Sequence, residues 1–296
     1  MPASESLRAL LAGSIDYAGL FPPAGLAMRE AVARYAADRR GPCSWMLGRF
    51  VVPVGSLEEF AAARAAIRRG AGGVWPLAVL LSGESNDETL RVAEFAGAQA
   101  ERARIEAVEF KATASAEIAA RARALPPALE RYCELPWGAD LERFLPVLKG
   151  LQLRAKFRTG GITAAAFPTA AALARYLVAS ARAGVPFKAT AGLHHPLRGS
   201  YRLTYESHSA RAPMHGLLNL MLAAAFARQG WSAARLESLL LDGEAGNFSF
   251  RAEAAVWRDQ SISTTELELA RRAYICSFGS CSFSEPTAEL RALDWL

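Results

Sequence analysis

The sequence predicts an α/β chain folded as a (β/α)8 TIM-like barrel with a long, mostly helical insertion after strand seven. Three observations predict it. Short runs rich in Val, Ile, Leu and Phe alternate repeatedly with Ala/Arg/Glu-rich stretches that carry apolar residues at three- and four-residue spacing. That alternation demands parallel strands joined by crossover helices that cover the sheet from outside. The 296 residues suit one such barrel, which needs about 250. No internal repeat or low-complexity linker divides them, so residues 1–296 read as one domain and 193–270 as the insertion.

Seven strands follow in order: Ser14–Ala18, Met46–Pro53, Pro76–Ser82, Ile105–Lys111, Leu129–Leu135, Leu151–Arg158 and Val185–Thr190. The helices between them are Ala27–Arg39, Leu57–Arg69, Asp87–Glu101, Ser115–Ala124, Ala139–Leu148 and Thr169–Ala183. Ser56, Asn86/Asp87 and Pro168-Thr169 supply start signals. After Thr190 the rhythm breaks. A His-bearing loop (Leu193–Pro213), an apolar helix (Met214–Arg228), a helix at Ala233–Leu241, an alternating NFSF stretch and a helix at Thr264–Arg272 follow. Tyr274–Gly279 is preferred as the closing strand, with Asn247–Arg251 as the alternative.

Composition excludes several classes. Hydrophobic residues at 52% and charged residues at 21% describe a globular chain. The net charge of +5 is spread without a block of like charges, so no nucleic-acid stripe is present. No signal pattern or membrane-length apolar run is apparent. Cys43, Cys133, Cys276 and Cys281 contain no CxxC pair and no zinc spacing, and read as reduced thiols. These features point to a cytoplasmic location, no membrane partner and a small anionic molecule as substrate. The helix Met214–Arg228 is the candidate contact for a homo-oligomer.

Only four of the 34 basic residues are lysines. Three of them, Lys111, Lys156 and Lys188, fall at predicted strand ends, where the loops of a barrel converge on its active site. Lysine, unlike arginine, can lose its proton when buried and attack a carbonyl. The predicted rim holds Asp16, Glu109, Lys111, Glu134, Lys156, Arg158, Lys188, His194 and His195. The loop DYAGLFPPAG, opened by Asp16, would fold over the mouth. Lys156 and Lys188 on adjacent strands would repel each other, lowering one pKa and leaving a neutral amine fit to form a Schiff base.

The segment Lys156-Phe-Arg158-Thr159-Gly160 resembles the K-x-x-T-G element on strand six of class I aldolases of the deoxyribose-phosphate aldolase type. Lys188-Ala-Thr-Ala-Gly192 resembles that family's strand-seven K-A-S-G-G element, 32 residues on. Ser277-Phe-Gly279-Ser280-Cys281-Ser282 is similar to its strand-eight phosphate loop. The resemblance implies a cofactor-free lyase in which Lys156 forms the imine, Lys188 is its electrostatic partner and Glu109 is the strand-four acid. Gly279, Ser280 and Ser282 would then hold phosphate. Arg158, Thr159, Gly160, Lys111, Glu134 and Asp16 complete the expected substrate site. The family's short link between strands seven and eight is replaced here by some eighty residues, and the whole chain also resembles an uncharacterised bacterial TIM-barrel family.

All four histidines lie between positions 194 and 215: His194, His195, His208 and His215. Their spacing matches no metal pattern, so no metal is assigned, and His194 or His195 is the acid/base candidate nearest Lys188. Two alternatives stay open: a barrel isomerase or metal-assisted hydrolase working through these histidines, and a non-catalytic binder of small anions.

Overall fold

The computed structural model describes residues 3–67, 73–83 and 87–296. Eight parallel strands close a barrel. In chain order the first seven are β1 (Ile15–Tyr17), β2 (Leu47–Pro53), β3 (Trp75–Leu80), β4 (Ala103–Lys111), β5 (Glu130–Glu134), β6 (Arg154–Arg158) and β7 (Phe187–Thr190). The two-stranded ribbon β8 (Gly199–Arg202) and β9 (Arg211–Met214) follows, then a three-stranded antiparallel sheet of β10 (Phe248–Phe250), β11 (Ala254–Trp257) and β12 (Gln260–Ser263). Strand β13 (Ile275–Ser280) closes the barrel between β1 and β7. The preferred closing strand is therefore the observed one. The alternative, around Asn247–Arg251, is β10, which pairs antiparallel with β11 away from the barrel.

The helices are α1 (Glu5–Leu11), α2 (Met28–Asp38), α3 (Leu57–Ala66), α4 (Glu88–Ala98), α5 (Ser115–Ala124), α6 (Leu141–Gly150), α7 (Ala170–Ala183), α8 (Leu217–Arg228), α9 (Ala233–Leu241), α10 (Thr264–Ala273) and α11 (Ser284–Ala292). The expected helix end at Arg69 and the start signal at Asn86 lie outside the described residues. Thr169 caps α7 by accepting from the Ala172 amide at 3.1 Å. Ser56 makes no such bond, because a 3-10 turn, Val54–Ser56, runs straight into α3. The fourth lysine, Lys149, closes the end of α7 by donating to the Gly184 carbonyl at 2.8 Å.

Helix α8 departs from its expected role. Every residue from Leu217 to Ala227 is buried, because α7, α9 and α10 pack around it. A helix apolar on all sides is enclosed, not offered to a second copy. Buried Asn219 fixes it: its side chain accepts from the Arg198 amide at 2.9 Å and donates to the carbonyls of Leu239 and Asp242 at 2.8 and 2.7 Å. By length and composition Ala164–Ala183 would suffice to cross a bilayer. Its helical part α7 is only 14 residues long, and it packs against α6, α8 and α9.

Beneath the mouth the barrel interior is unusually polar. Arg49 contacts Glu106 at 3.1 Å and Glu130 at 3.0 Å, and Arg154 contacts Glu130 at 2.9 Å. Above this floor lies a thin apolar layer of Val51, Ala78, Ala107 and the ring of Tyr132. The next layer up contains the lysines.

Candidate active site

Strand register brings the site together. Lys156 on β6 is opposite Lys188 on β7, and Glu134 on β5 is opposite Lys156. Side chains two residues apart along a strand share a face, so Tyr132 and Glu134, or Lys156 and Arg158, stack vertically on one wall.

Together the charged groups form an alternating row. Asp16 Oδ2 lies 2.6 Å from Lys188 Nζ, which lies 2.6 Å from Glu109 Oε1. Glu109 Oε2 is 2.8 Å from Lys156 Nζ, which is 2.9 Å from Glu134 Oε2. Glu134 Oε1 faces Lys111 Nζ at 3.8 Å. All but the last of these residues are buried; the Lys111 side chain is 75% exposed. Asp16 also accepts from Ser277 Oγ at 2.7 Å and from the Arg49 amide at 2.9 Å. The Tyr132 ring lies under Lys188, 5.4 Å from its nitrogen.

This geometry changes the electrostatic expectation. The two lysines share one site, but Glu109 lies between them and screens their repulsion. Burial alone would lower the Lys188 pKa; Asp16 and Glu109 outweigh it and raise it. Burial alone would raise the Glu109 pKa; Lys156 and Lys188 bring it down to about 2. The mutual lowering expected for the two lysines is therefore not what Lys188 shows. Glu134 Oε2 is buried and has no aligned hydrogen-bond donor, so its 2.9 Å contact with Lys156 is an ion pair.

A cavity of 330 Å³ opens above the row, at the lower end of the roughly 300–1,000 Å³ seen for small-molecule sites. Lys156, Lys188 and Glu109 line it, with Arg158, Thr190, Gly279, Cys281 and His194. Ala18, Phe21 and Pro22 also line it, so the loop after β1 covers the mouth as expected. Asp16, Glu134 and Lys111 are not in the wall: the first two brace the lysines, and Lys111 leads toward solvent.

Other expected substrate contacts serve the scaffold. Thr159 donates its hydroxyl to the Ala191 carbonyl at 2.6 Å, tying β6 to the loop after β7. Gly160 lies against Gly192, where an added Cβ would meet the Gly192 Cα at 2.9 Å. Ser280 donates to the Ser282 carbonyl at 2.7 Å. Ser282 accepts from the Glu285 amide at 3.2 Å at the start of α11. Of Gly279, Ser280 and Ser282, only Gly279 lines the cavity, together with Cys281 of the same segment.

The histidines diverge. His194 is in the wall, with Nδ1 3.2 Å from Ser280 Oγ and 3.7 Å from Cys281 Sγ. Burial, and secondarily His195, lower its pKa to about 4, so it is neutral at pH 7. Burial pushes the Cys281 thiol up to about 11; the pair is therefore neutral thiol and neutral imidazole, not a nucleophilic ion pair. His195 turns away to Glu289 at 2.6 Å and stacks on Tyr201. His215 is buried against the Pro168 carbonyl at 2.8 Å, and His208 is exposed. Among the described residues, no three His, Cys, Asp or Glu side chains are grouped to hold a metal ion.

Tyr132 and the Ser277 hydroxyl, which donates to Asp16, belong to the site beyond the candidate residues read from sequence. Strand periodicity was the available signal: Tyr132 is two residues before Glu134, and Ser277 two before Gly279. In sequence comparisons no family model matches the chain, and no curated protein matches it.

Proposed function

We propose that this barrel is a lysine-imine carbon–carbon lyase acting on a small carbonyl compound, with Lys156 as the nucleophile. The observation that carries this reading is the setting of Lys156. Lys156 is 5% exposed and lines the cavity, and its amino group lies within 3 Å of two carboxylates. A buried lysine with an adjacent proton acceptor meets the requirement for an activated nucleophile. Lys188, held by two carboxylates at 2.6 Å each, is fixed as a cation and supplies field instead of attack.

Glu134 would take a proton from the Lys156 ammonium, and the free amine would add to the carbonyl carbon. The resulting carbinolamine loses its hydroxyl as water when that proton returns, leaving a protonated imine. In the cleavage direction the electrons of the adjacent carbon–carbon bond move into the imine as an enamine. The β-hydroxyl gives up its proton, and the aldehyde fragment leaves. Neutral His194 in the wall offers the lone pair for that proton: burial makes it a weak base, with its pKa at about 4, and Glu109 is weaker still, held at about 2 by two ammonium groups. Arg158, at the cavity edge and without an ion-pair partner among the described residues, offers a fixed cation for an anionic substrate.

Borohydride reduction tests this directly. Incubation with short aldehydes and ketones plus borohydride should add the mass of one reduced imine, mapped by peptide mass spectrometry to Lys156. Lys156→Ala should lose the adduct. Labelling of surface amines only, or unchanged labelling in that variant, would end the imine reading.

A further inference from the structure

Beside the first cavity lies a second, of 230 Å³, under the β8–β9 ribbon. The two share a wall: Gly161 and His194 line both. The imine chemistry proposed above uses the charge row and His194, and leaves the rest of the second cavity unexplained. Its ribbon carries Arg202 and Arg211, both exposed residues that also line the cavity. These residues are direct cross-strand partners. Like charges placed opposite each other on a ribbon destabilise it, and neither guanidinium has a carboxylate within ion-pair distance among the described residues. Arg211 gives one N–H to the Ser200 carbonyl, and its other donors are uncommitted. The acidic group in this cavity, Glu285, is engaged by the Tyr205 hydroxyl at 2.8 Å and lies 3.6 Å from His194. On the other side of the shared wall, a Cβ on Gly161 would lie 3.9 Å from an Nη of Arg158, so cationic donors flank the junction as well.

We infer that the second cavity is an oxyanion subsite: the substrate is a linear carbonyl compound whose far end bears a carboxylate or phosphate held by Arg202 and Arg211. For the carbonyl end this rests on the imine proposal; for the anionic end it does not. The hydroxyls of the strand-eight loop do not substitute: Ser280 donates to the Ser282 carbonyl, and neither Ser280 nor Ser282 lines either cavity. Paired guanidiniums bind such planar or tetrahedral oxyanions by forked, charge-assisted hydrogen bonds.

The test compares three aldehydes of similar length in borohydride trapping: butanal, 4-oxobutanoate and 3-oxopropyl phosphate. The concentration for half-maximal labelling of Lys156 should be lower for at least one anionic aldehyde than for butanal by about tenfold or more, the worth of one charge-assisted pair. The better of the two anions identifies carboxylate or phosphate as the preferred group. In Arg202→Gln/Arg211→Gln that ratio should fall to near one. A ratio near one in the unaltered protein would overturn the subsite. So would a ratio that survives in the double variant and is lost instead in Arg158→Gln. If no aldehyde labels Lys156, the imine proposal fails, and calorimetric titration with succinate and inorganic phosphate decides the subsite alone. Binding of either ion that is lost in the double variant supports it; no binding, or binding unchanged in the variant, overturns it.

Discussion

Glu134 and Glu109 are both strand-end glutamates, yet their surroundings give them opposite tasks. Glu109 has a buried ammonium on each oxygen and stays ionised; Glu134 has buried Lys156 at Oε2, without an aligned hydrogen bond, and exposed Lys111 at 3.8 Å from Oε1. Glu134→Gln keeps the shape and removes the acceptor. Labelling of Lys156 by aldehyde and borohydride should then slow by about tenfold or more at neutral pH. An unchanged rate would assign the proton to another group. The sequence made the charged residues of this row legible, because scarce lysines and strand-end carboxylates stand out. Their connectivity was not legible. Register decides that Glu109 lies between the lysines, and register depends on the bulges between β3 and β4 and between β7 and β13.

Among the elements, the barrel strands were readable from apolar runs, with the eighth recovered at Ile275–Ser280. The ribbon β8–β9 was not, since four-residue strands such as GSYR and RAPM are too short to show a period. The ends of β6 and β7 meet through two glycines. Gly192 has φ +75°, and both glycines lie against the Phe167 ring. Gly192→Ala would place a side chain in left-handed backbone and against that ring. It should cost about 1–3 kcal/mol in urea denaturation. It should also reduce aldehyde labelling of Lys156, because the strands carrying both lysines must move apart. Stability and labelling unchanged together would show that the close approach is not required.

For the whole molecule, buried ionisable groups set the response to acid. His194 and His215 are held near 4, chiefly by burial, against an ordinary 6.5. Between those values the unfolded chain takes up protons that the fold refuses, so stability should fall as pH drops from 6.5 toward 4. Glu109, at about 2 against 4.5, stabilises the fold above about pH 4.5, and that contribution is lost as pH falls toward 2. Urea midpoints measured across this range should therefore decline in two stages. His215→Gln should flatten the upper stage and Glu109→Gln the lower one; a midpoint independent of pH from 7 to 3 would contradict both assignments.

The row of charges also bears on selectivity. Asp16, Glu109 and Glu134 outnumber the buried Lys156 and Lys188, so the reacting end of the cavity is not an attractive place for one more carboxylate. On the proposed chemistry, a 2-oxo acid would bring its carboxylate within a bond or two of the attacked carbon, toward Glu109. A plain aldehyde or ketone would meet no such repulsion. The charge row would thus favour carbonyls whose own negative charge is held at a distance from the carbon that reacts.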